Sequence, residues 1–212
     1  VAEQSSPFAT GGFSNIYRCS MLAASNTPSS TPSADGDDAA AVCAIKSFSQ
    51  GPQEDAFFPA RSQGHLSAEL SVLRELRHPN VVSLIDEGPG FLVLEFVPET
   101  LYSRIEEFGG IHEAAAEAIL AQLLMATHAC FQAGWAHMDI KPENCLLKYS
   151  GGRASPRALL CDFGCAKRHE GGTATIRGLL GTTQYRAPEV SETVKYMPCP
   201  CDLWSLACTF FT

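Results

Sequence analysis

The chain carries a short run of polar side chains whose types suit phosphate chemistry. The stretch His137–Asn144, HMDIKPEN, holds Asp139, Lys141 and Asn144, and a second aspartate, Asp162, follows in the motif CDFG. Carboxylate and carboxamide oxygens are ligands that Mg²⁺ prefers, and substrate phosphates often supply others. A further carboxylate can accept a proton from an attacking hydroxyl, and a lysine can stabilise a transferred phosphoryl group. Either motif alone is better explained by a turn, but the two together indicate phosphoryl transfer.

Two more charged residues fall on faces that should be buried. VCAIK alternates as a strand does and places Val42, Ala44 and Lys46 on one face. The stretch His65–Leu76 has leucines at helical spacing, and Glu69 shares part of that apolar face. Because a buried unpaired charge is costly, the simplest solution is that Lys46 and Glu69 pair with each other. The alternative is a lysine at the solvent edge and an unrelated glutamate at the border of the helix.

The elements around these residues change in kind along the chain. Val81–Ile85 and Phe91–Val97 are apolar runs joined by a Gly-Pro-Gly turn, which predicts a hairpin. His112–Gly134 has an apolar stripe at helical spacing, and its final glycine stops the helix. Residues 20–41, rich in Ser, Pro, Ala and Asp, predict a disordered insertion in a loop, with a cluster of regulatory phosphorylation sites as the alternative. Strands with one helix, followed by mostly helix, predict two lobes of different class.

In this order the motifs resemble those of a eukaryotic protein kinase catalytic domain over nearly the whole chain. AIK (Ala44–Lys46) resembles the third-strand lysine motif, and Glu69 matches the glutamate of the helix that follows. HMDIKPEN resembles the catalytic loop, and CDLWSL the start of the helix that anchors the larger lobe. FLVLEFVPETL resembles the hinge between the lobes. The activation segment would run from Asp162 of DFG to Glu189 of APE.

The resemblance implies an α+β fold with two lobes. Residues 1–97 would form a small β-rich N-lobe with one main helix and the hinge, interrupted by the insertion at 20–41. Residues 98–212 would form a mostly helical C-lobe. The chain stops at Thr212 inside the anchoring helix, whereas the family continues through further helices, one of which supplies an arginine to the APE glutamate. We therefore expect a C-terminally truncated chain, or one that needs further chain to be stable.

The resemblance also implies that ATP lies between the lobes. Lys46, held by Glu69, would contact the α- and β-phosphates. Asp139 would act as the catalytic base, and Lys141 would stabilise the transferred group.

The implied metal ligands are Asn144 and Asp162, which would hold Mg²⁺. The resemblance places the nucleotide against residues of both lobes. They are Ala9, Thr10, Gly11, Gly12, Phe13 and Ser14 of the phosphate loop, Ile16, Ala44 and Leu146 around the adenine, Leu94, Glu95, Phe96 and Val97 of the hinge, and Asp162.

The phosphate loop departs from the family pattern. G-x-G-x-x-G-x-V appears as ATGGFSNI, in which only Gly11 falls in register, so the loop would fit phosphate less well. The type of kinase is indicated by other residues. Lys141 and the stretch Gly181–Tyr185, GTTQY, resemble serine/threonine rather than tyrosine kinases. LVLEFVPETLY and YRAPE resemble the group of cyclin-dependent and glycogen synthase kinases.

A second departure concerns control. Met138 stands where many kinases have an arginine that binds a phosphorylated residue of the activation segment, so the chain resembles a non-RD kinase. The usual phosphoacceptor position falls on Gly178, which has no hydroxyl. Both halves of that switch are absent, which predicts activity that does not need it. The alternative is that Met138 fills a core gap and another basic residue, such as Arg168 or Lys167, receives a phosphate on Thr173 or Thr175.

Two other functions remain open from the sequence. A pseudokinase, which binds nucleotide or partners without turnover, would explain the degraded glycine loop, but the catalytic residues are intact. A small-molecule phosphotransferase can share the Asp-Asn-Asp core, but the APE and GTTQY motifs argue against it. The substrates implied by the leading interpretation are proteins with Ser or Thr hydroxyls. Regulatory partners cannot be read from the sequence.

Composition excludes some classes of partner and compartment. The net charge of −8 and the lack of a basic run argue against nucleic-acid binding, and no apolar stretch approaches the roughly 18 residues of a membrane segment. Nine cysteines without a C-x-x-C pair predict free thiols in a reducing intracellular compartment, the cytoplasm, with the nucleus left open. A metal site around Cys199 and Cys201 is the alternative. Cys161 can line the ATP pocket in the family, where it would be either an alkylatable thiol or an inert one.

Overall fold

The computed structural model describes most of the candidate site. The described residues are 6–10, 14–20, 42–48, 59–149, 155–169, 171, 175–192 and 195–211. The glycine-loop residues Gly11, Gly12 and Phe13, the candidate phosphoacceptor Thr173, and the predicted insertion except its first residue lie outside the described residues.

The first half of the structure is an antiparallel sheet with one helix beside it. The helix α1 (Pro59–Glu75) lies between the third and fourth strands in the chain. In the sheet, Ala44 pairs with Leu94 and Lys46 with Leu92. The strands, in the spatial order β1-β2-β3-β5-β4, are β1 (Ala9–Thr10), β2 (Asn15–Ser20), β3 (Val42–Ser47), β4 (Leu84–Gly88) and β5 (Phe91–Glu95).

The predicted hairpin is present, but its first strand begins later than expected. β4 starts at Leu84, whereas Val81 and Val82 leave the sheet and are buried against the second half of the structure. The amide of Val82 donates to the carbonyl of Leu160 at 3.0 Å, and Leu160 donates back to Asn80 at 2.9 Å. The apolar run Val81–Ile85 therefore looks like a single strand in the sequence. In the structure its first residues instead join the two lobes.

The second half is mostly helical, with two short ribbons. Strands β6 (Trp135–Ala136) and β9 (Lys167–Arg168) form one antiparallel pair, and β7 (Cys145–Lys148) and β8 (Arg157–Leu160) form another. Single 3-10 turns follow at 142–144, 163–165 and 183–185. The elements are α2 (Leu101–Phe108), α3 (Glu113–Gln132), β6 (Trp135–Ala136), β7 (Cys145–Lys148), β8 (Arg157–Leu160), β9 (Lys167–Arg168), α4 (Pro188–Glu192) and α5 (Pro198–Phe211).

Apolar packing joins the two halves. One core cluster contains Leu73 and Leu92 from the first half and Leu123, Leu147 and Phe163 from the second. A smaller group, here named the Met138 cluster, lies under the activation segment. Its buried members are Ala136, Met138, Ala187, Val190, Tyr196 and Cys201.

The predicted long helix is confirmed as α3, which begins at Glu113 and ends before the left-handed Gly134. By length and composition this one helix, among the described residues, is apolar enough to cross a membrane, contrary to the expectation from the sequence. A core helix passes the same test. Here Ile119, Leu123 and Cys130 form a buried stripe that packs into the core cluster, so we interpret α3 as a core helix.

Candidate active site

Lys46 is the meeting point of two carboxylates. Its Nζ lies 2.7 Å from Oε2 and 3.0 Å from Oε1 of Glu69, and 2.8 Å from Oδ1 of Asp162. Lys46 and Glu69 are 4% and 0% exposed. The structure thus has the pair expected from strand and helix periodicity, rather than two unrelated charges. It also brings in Asp162 from a distant part of the chain.

Charge and burial compete at these three residues. Burial raises the pKa of Glu69 to about 7, although Lys46 acts in the opposite direction. Burial alone would lower the pKa of Lys46, but the carboxylates of Glu69 and Asp162 outweigh it and raise that pKa. Burial likewise acts to raise the pKa of Asp162, and there the ammonium of Lys46 prevails and holds the pKa at about 2. Lys46 is therefore charged and Asp162 ionised at neutral pH.

Asp139 is fixed by two neighbours that stand beside it in the cleft. Its Oδ1 accepts hydrogen bonds from the backbone amide of Thr182 at 2.8 Å and from the Thr182 hydroxyl at 2.7 Å. Nζ of Lys141 lies 3.2 Å from Oδ2 of Asp139 and donates to the Thr182 hydroxyl at 2.8 Å. The motif HMDIKPEN indicated that Asp139 and Lys141 act together, whereas the GTTQY stretch was used to identify the class of enzyme and not as a contact of Asp139. Thr182 is therefore a contact that sequence reasoning missed.

The backbone just before Asp139 is held by a residue of α5. Met138, the residue before it, has a left-handed φ of 67°. The buried carboxylate of Asp202 accepts hydrogen bonds from the amides of His137 at 2.6 Å and Met138 at 2.7 Å. Since a strained backbone persists only where its surroundings fix it, Asp202 explains how a methionine can adopt this conformation. From the sequence, Asp202 marked only the start of a helix.

The two expected metal ligands border one cavity. Asn144 ends a 3-10 turn, and its Nδ2 donates to the Asp139 carbonyl at 2.8 Å. Asp139, Asn144 and Asp162 line a cavity of about 470 Å³, together with Lys46 and Thr182. An ionised carboxylate and an amide oxygen are hard oxygen ligands, so this donor set fits Mg²⁺.

The described part of the phosphate loop borders the same space. Ala9, Thr10 and Ser14 line the cavity that contains Lys46 and Asp139. Gly11, Gly12 and Phe13 lie between these residues in the chain and outside the described residues. The described residues on either side of these three therefore border the part of the cleft that contains Lys46, Asp139 and Asp162.

A second, adjoining cavity of about 320 Å³ suits an apolar ring. Ile16 and Ala44 from the N-lobe sheet, Leu146 from β7 and Leu94 from β5 line it, as expected for an adenine site. Hinge residues expected to face adenine border it as well. They are Glu95, Phe96 and Val97.

Glu95 has a further role that the sequence did not indicate. Its Oε2 accepts from Lys148 at 2.7 Å and Arg157 at 3.1 Å, and its Oε1 accepts from the amide of Ser83 at 3.0 Å. Burial acts to raise the pKa of Glu95, but the hydrogen bonds of Lys148 and Ser83 outweigh it and lower that pKa. The hinge is thereby tied to the β7–β8 ribbon, which carries the floor of the adenine cavity.

An apolar column of four residues, Leu73, Leu84, His137 and Phe163, lies between the lobes. Leu73 and Phe163 are buried, Leu84 packs against the same core, and the rings of His137 and Phe163 lie 4.7 Å apart. Nε2 of His137 also lies 2.9 Å from the Cys161 carbonyl oxygen. The column therefore joins α1, the catalytic loop and the start of the activation segment.

The thiol of Cys161 borders the nucleotide cavity, but its chemistry is unfavourable for alkylation. Burial raises its pKa well above the usual range, so little thiolate is present at neutral pH. We expect an adenine-like electrophile to label Cys161 much more slowly than a free cysteine at pH 7.5. Mass spectrometry after labelling, with and without ATP, measures this rate. A fast adduct that ATP suppresses would contradict the inert-thiol interpretation.

The alternative of a metal site at the cysteines is not supported. Sγ of Cys199 lies 3.4 Å from Nε2 of His169, and Sγ of Cys201 lies 3.5 Å from Glu189. Within the described ranges, no group of three or more His, Cys, Asp or Glu side chains is arranged to hold a metal ion. Both cysteines lie at the start of α5.

Comparison with known proteins agrees with this geometry. The sequence model of the family described as protein kinase domain matches residues 33–212. The chain is 32% identical over 151 residues to serine/threonine-protein kinase 36 from Pongo abelii and from Mus musculus, a match that covers 69% of this chain and 11% of those proteins. It is 33% identical over 156 residues to CBL-interacting serine/threonine-protein kinase 24 from Arabidopsis thaliana, covering 71% of this chain and 34% of that protein.

The chain thus spans between about a tenth and a third of the length of these relatives. Strands β1 and β2 precede the matched residues, yet β2 pairs with β3 along its whole length and completes the same sheet. The α+β fold, with an antiparallel N-lobe sheet and a helical second part, is the one that the family match implies. The match covers most of the chain, and the chain belongs to the protein kinase family.

Proposed function

We propose that the protein is a serine/threonine protein kinase that transfers the γ-phosphate of ATP to Ser and Thr hydroxyls of protein substrates. The observation that carries the proposal is the convergence of Asp139, Lys141 and Thr182 on the cavity that also holds the Lys46–Asp162 contact. The names of the relatives support the Ser/Thr class. Offering Ser, Thr and Tyr versions of one peptide tests that class. Transfer to the Tyr peptide alone would contradict it.

The proposed roles follow from the contacts. Lys46, positioned by Glu69, binds the α- and β-phosphates, and the ionised Asp162 with Asn144 holds Mg²⁺, which neutralises phosphate charge when bound. The substrate oxygen forms a bond to the γ-phosphorus while the bond to the ADP oxygen breaks. Asp139 accepts the hydroxyl proton, and Lys141 stabilises the charge on the phosphoryl oxygens.

The pseudokinase alternative is less well supported. Its best support is the glycine loop, in which Ala9 and Ser14 stand where the family pattern has glycines, yet both residues border the cavity that contains Lys46 and Asp139. Lys46 contacts both Glu69 and Asp162, and Lys46, Asn144 and Asp162 line one cavity. We place the N-lobe and hinge in residues 1–97 and the C-lobe in 98–212. The nine free thiols support a reducing intracellular compartment, and we propose the cytoplasm, with the nucleus left open.

We further propose that the kinase is of the non-RD type and does not need a phosphate in the activation segment. Met138 is 4% exposed and packs in its apolar cluster, where it offers no donor to a phosphate. The alternative receiver, Arg168, is engaged at 2.6 Å by Glu75 and lies over the Trp135 ring. Thr175 and the other candidate receiver, Lys167, are both exposed, so this alternative needs a direct test.

Phosphatase treatment is therefore expected to leave peptide phosphorylation unchanged. Thr173→Ala and Thr175→Ala should each keep wild-type activity, because neither residue supplies a phosphate that Met138 can bind. Initial rates before and after treatment measure the effect, and binding of ATP serves as the control for an intact fold. Loss of activity after phosphatase treatment or in either variant, with ATP binding preserved, would show that phosphorylation of the segment controls activity.

A further inference from the structure

Part of the activation segment, residues 176–182, is fastened at both ends. At the first end, Ile176 and Tyr196 exchange two backbone hydrogen bonds of 2.9 and 3.1 Å. At the second end, Thr182 hydrogen-bonds Asp139 through its amide and its hydroxyl. The geometry around the proposed catalytic base therefore depends on how the residues between these ends are held.

One side chain reaches the middle of this stretch. The Tyr196 hydroxyl donates a hydrogen bond to the carbonyl oxygen of Gly178. The ring is 4% exposed and packs in the Met138 cluster beside Val190 of α4 and Cys201 of α5. Burial raises the pKa of Tyr196, so the hydroxyl keeps its proton and remains a donor at neutral pH. The donor is thus held by the body of the fold rather than by the segment itself.

The end of this stretch next to the catalytic base is closely packed. Arg186 donates to the carbonyl of Leu180 at 2.9 Å. Gly181, at a φ of 78°, packs so tightly that a Cβ there would lie 2.5 Å from the Met138 carbonyl oxygen. Because Leu180 and Gly181 are held in this way next to Thr182, we expect a change in how Gly178 is held to reach Thr182 through the backbone.

Gly178 itself is unsuited to carry a phosphate. It has no hydroxyl, and its φ of 110° is one that residues with a side chain rarely adopt. The same backbone position therefore receives a hydroxyl donor from elsewhere in the fold. A neutral hydrogen bond from the Tyr196 hydroxyl to the Gly178 carbonyl thus stands where a phosphate–arginine contact would need phosphorylation.

We propose that the Tyr196 hydroxyl anchors the activation segment at Gly178 in place of a phosphate, and thereby positions Thr182 against Asp139. The inference rests on the proposed kinase function for its kinetic consequence. The anchoring itself is a property of the fold and can be measured without turnover.

The test compares the wild-type protein with Tyr196→Phe, which removes the hydroxyl and keeps the ring in its cluster. A single neutral hydrogen bond of this kind corresponds to about a 3- to 10-fold change, so we expect kcat/KM for a Ser/Thr peptide to fall ~3- to 10-fold. KM for ATP should not change, since Tyr196 does not border either cavity of the nucleotide site. Amide hydrogen exchange of residues 176–182 should become faster.

Tyr102→Phe is the matched control. Tyr102 is an exposed residue on α2 whose hydroxyl donates to Glu106 at 2.8 Å, so this variant also removes one tyrosine hydrogen bond, but far from the segment. We expect it to leave both readouts unchanged. Equal loss of peptide kinetics in the two variants would overturn a specific role for Tyr196.

A second variant perturbs the same contact from the other side. Gly178→Ala adds a Cβ that meets no atom within 4 Å, so its effect arises from the strained φ alone. It should raise exchange in 176–182 as Tyr196→Phe does, and the double variant should lose less than the sum of the two.

The outcomes separate the two proposals. Exchange and peptide kinetics of Tyr196→Phe that equal those of the wild type would overturn the anchoring. A wild-type protein that transfers no phosphate would overturn the kinase function, whereas faster exchange in Tyr196→Phe would still support the anchor. Anchoring that appears only after phosphorylation of the protein would contradict the replacement of a phosphate by Tyr196.

Discussion

Asp139→Asn is expected to bind ATP with the affinity of the wild type and to lose phosphotransfer by ~10²-fold or more. The amide keeps an oxygen that can accept from Thr182, so the local contacts persist, but it cannot take the proton of the attacking hydroxyl. Proton acceptance and positioning together account for an effect of this size in phosphoryl transfer. Nucleotide binding by calorimetry and peptide phosphorylation under single-turnover conditions measure the two quantities separately.

The matched control for this variant is Asp86→Asn. Asp86 is an exposed residue on β4 whose carboxylate accepts from the amide of Glu87, so the same chemical change is made away from the cleft. It should retain full activity. Equal phosphotransfer by the wild type and Asp139→Asn would remove Asp139 from the proposed role.

Asp162→Asn is expected to abolish the metal dependence of ATP binding. The carboxylate has a pKa of about 2, so it is ionised at neutral pH and can serve as an anionic ligand in the cavity. Losing residues that only support a metal ligand costs ~10- to 100-fold in metal affinity, and losing the ligand itself should cost at least as much.

The pH dependence of the wild type gives an independent check on Asp162. A carboxyl whose pKa is lowered in the folded state contributes stability above its ordinary pKa, and that contribution is lost as the pH falls toward about 2. Mg²⁺-dependent ATP binding should therefore show no titration from Asp162 between pH 5 and 8. Titrations of the wild type with ATP, with and without Mg²⁺, over this pH range measure the effect. For the variant, unchanged metal dependence of ATP binding in Asp162→Asn would contradict the assignment of Asp162 as a metal ligand.

The parts of the site that the sequence predicted share one physical property. The Lys46–Glu69 pair follows from periodicity, because a strand and a helix each direct one charge into an interior where an unpaired charge is costly. The catalytic loop and Asp162 follow from residue types that few other chemistries require together. In each case a local pattern of a few residues carries the information.

The parts that were missed depend on contacts between distant segments. Glu95 is bound by Lys148 and Arg157, and Asp202 holds the backbone of Met138, but no local spacing links these residues. Their positions are decided by how the ribbon and α5 pack, which periodicity does not determine. The anchoring of Gly178 by Tyr196 has the same origin.

The error in the predicted start of β4 has a different cause. Val81 and Val82 are apolar and β-branched, so they fit a strand, and propensity alone cannot say which neighbour a strand will have. Here they meet Leu160 of β8 and are buried between the lobes. Tertiary contact therefore moved the boundary while the hairpin itself remained as expected.

The central claim is that this cleft transfers the terminal phosphate of ATP to a protein hydroxyl. The most direct measurement offers the protein a Ser/Thr peptide with Mg²⁺ and ATP labelled either on the γ- or on the α-phosphate. We expect label on the peptide from γ-labelled ATP only, at a rate that falls ~10²-fold or more in Asp139→Asn. Bound nucleotide with no label on any Ser/Thr peptide, or label that Asp139→Asn transfers equally well, would contradict it.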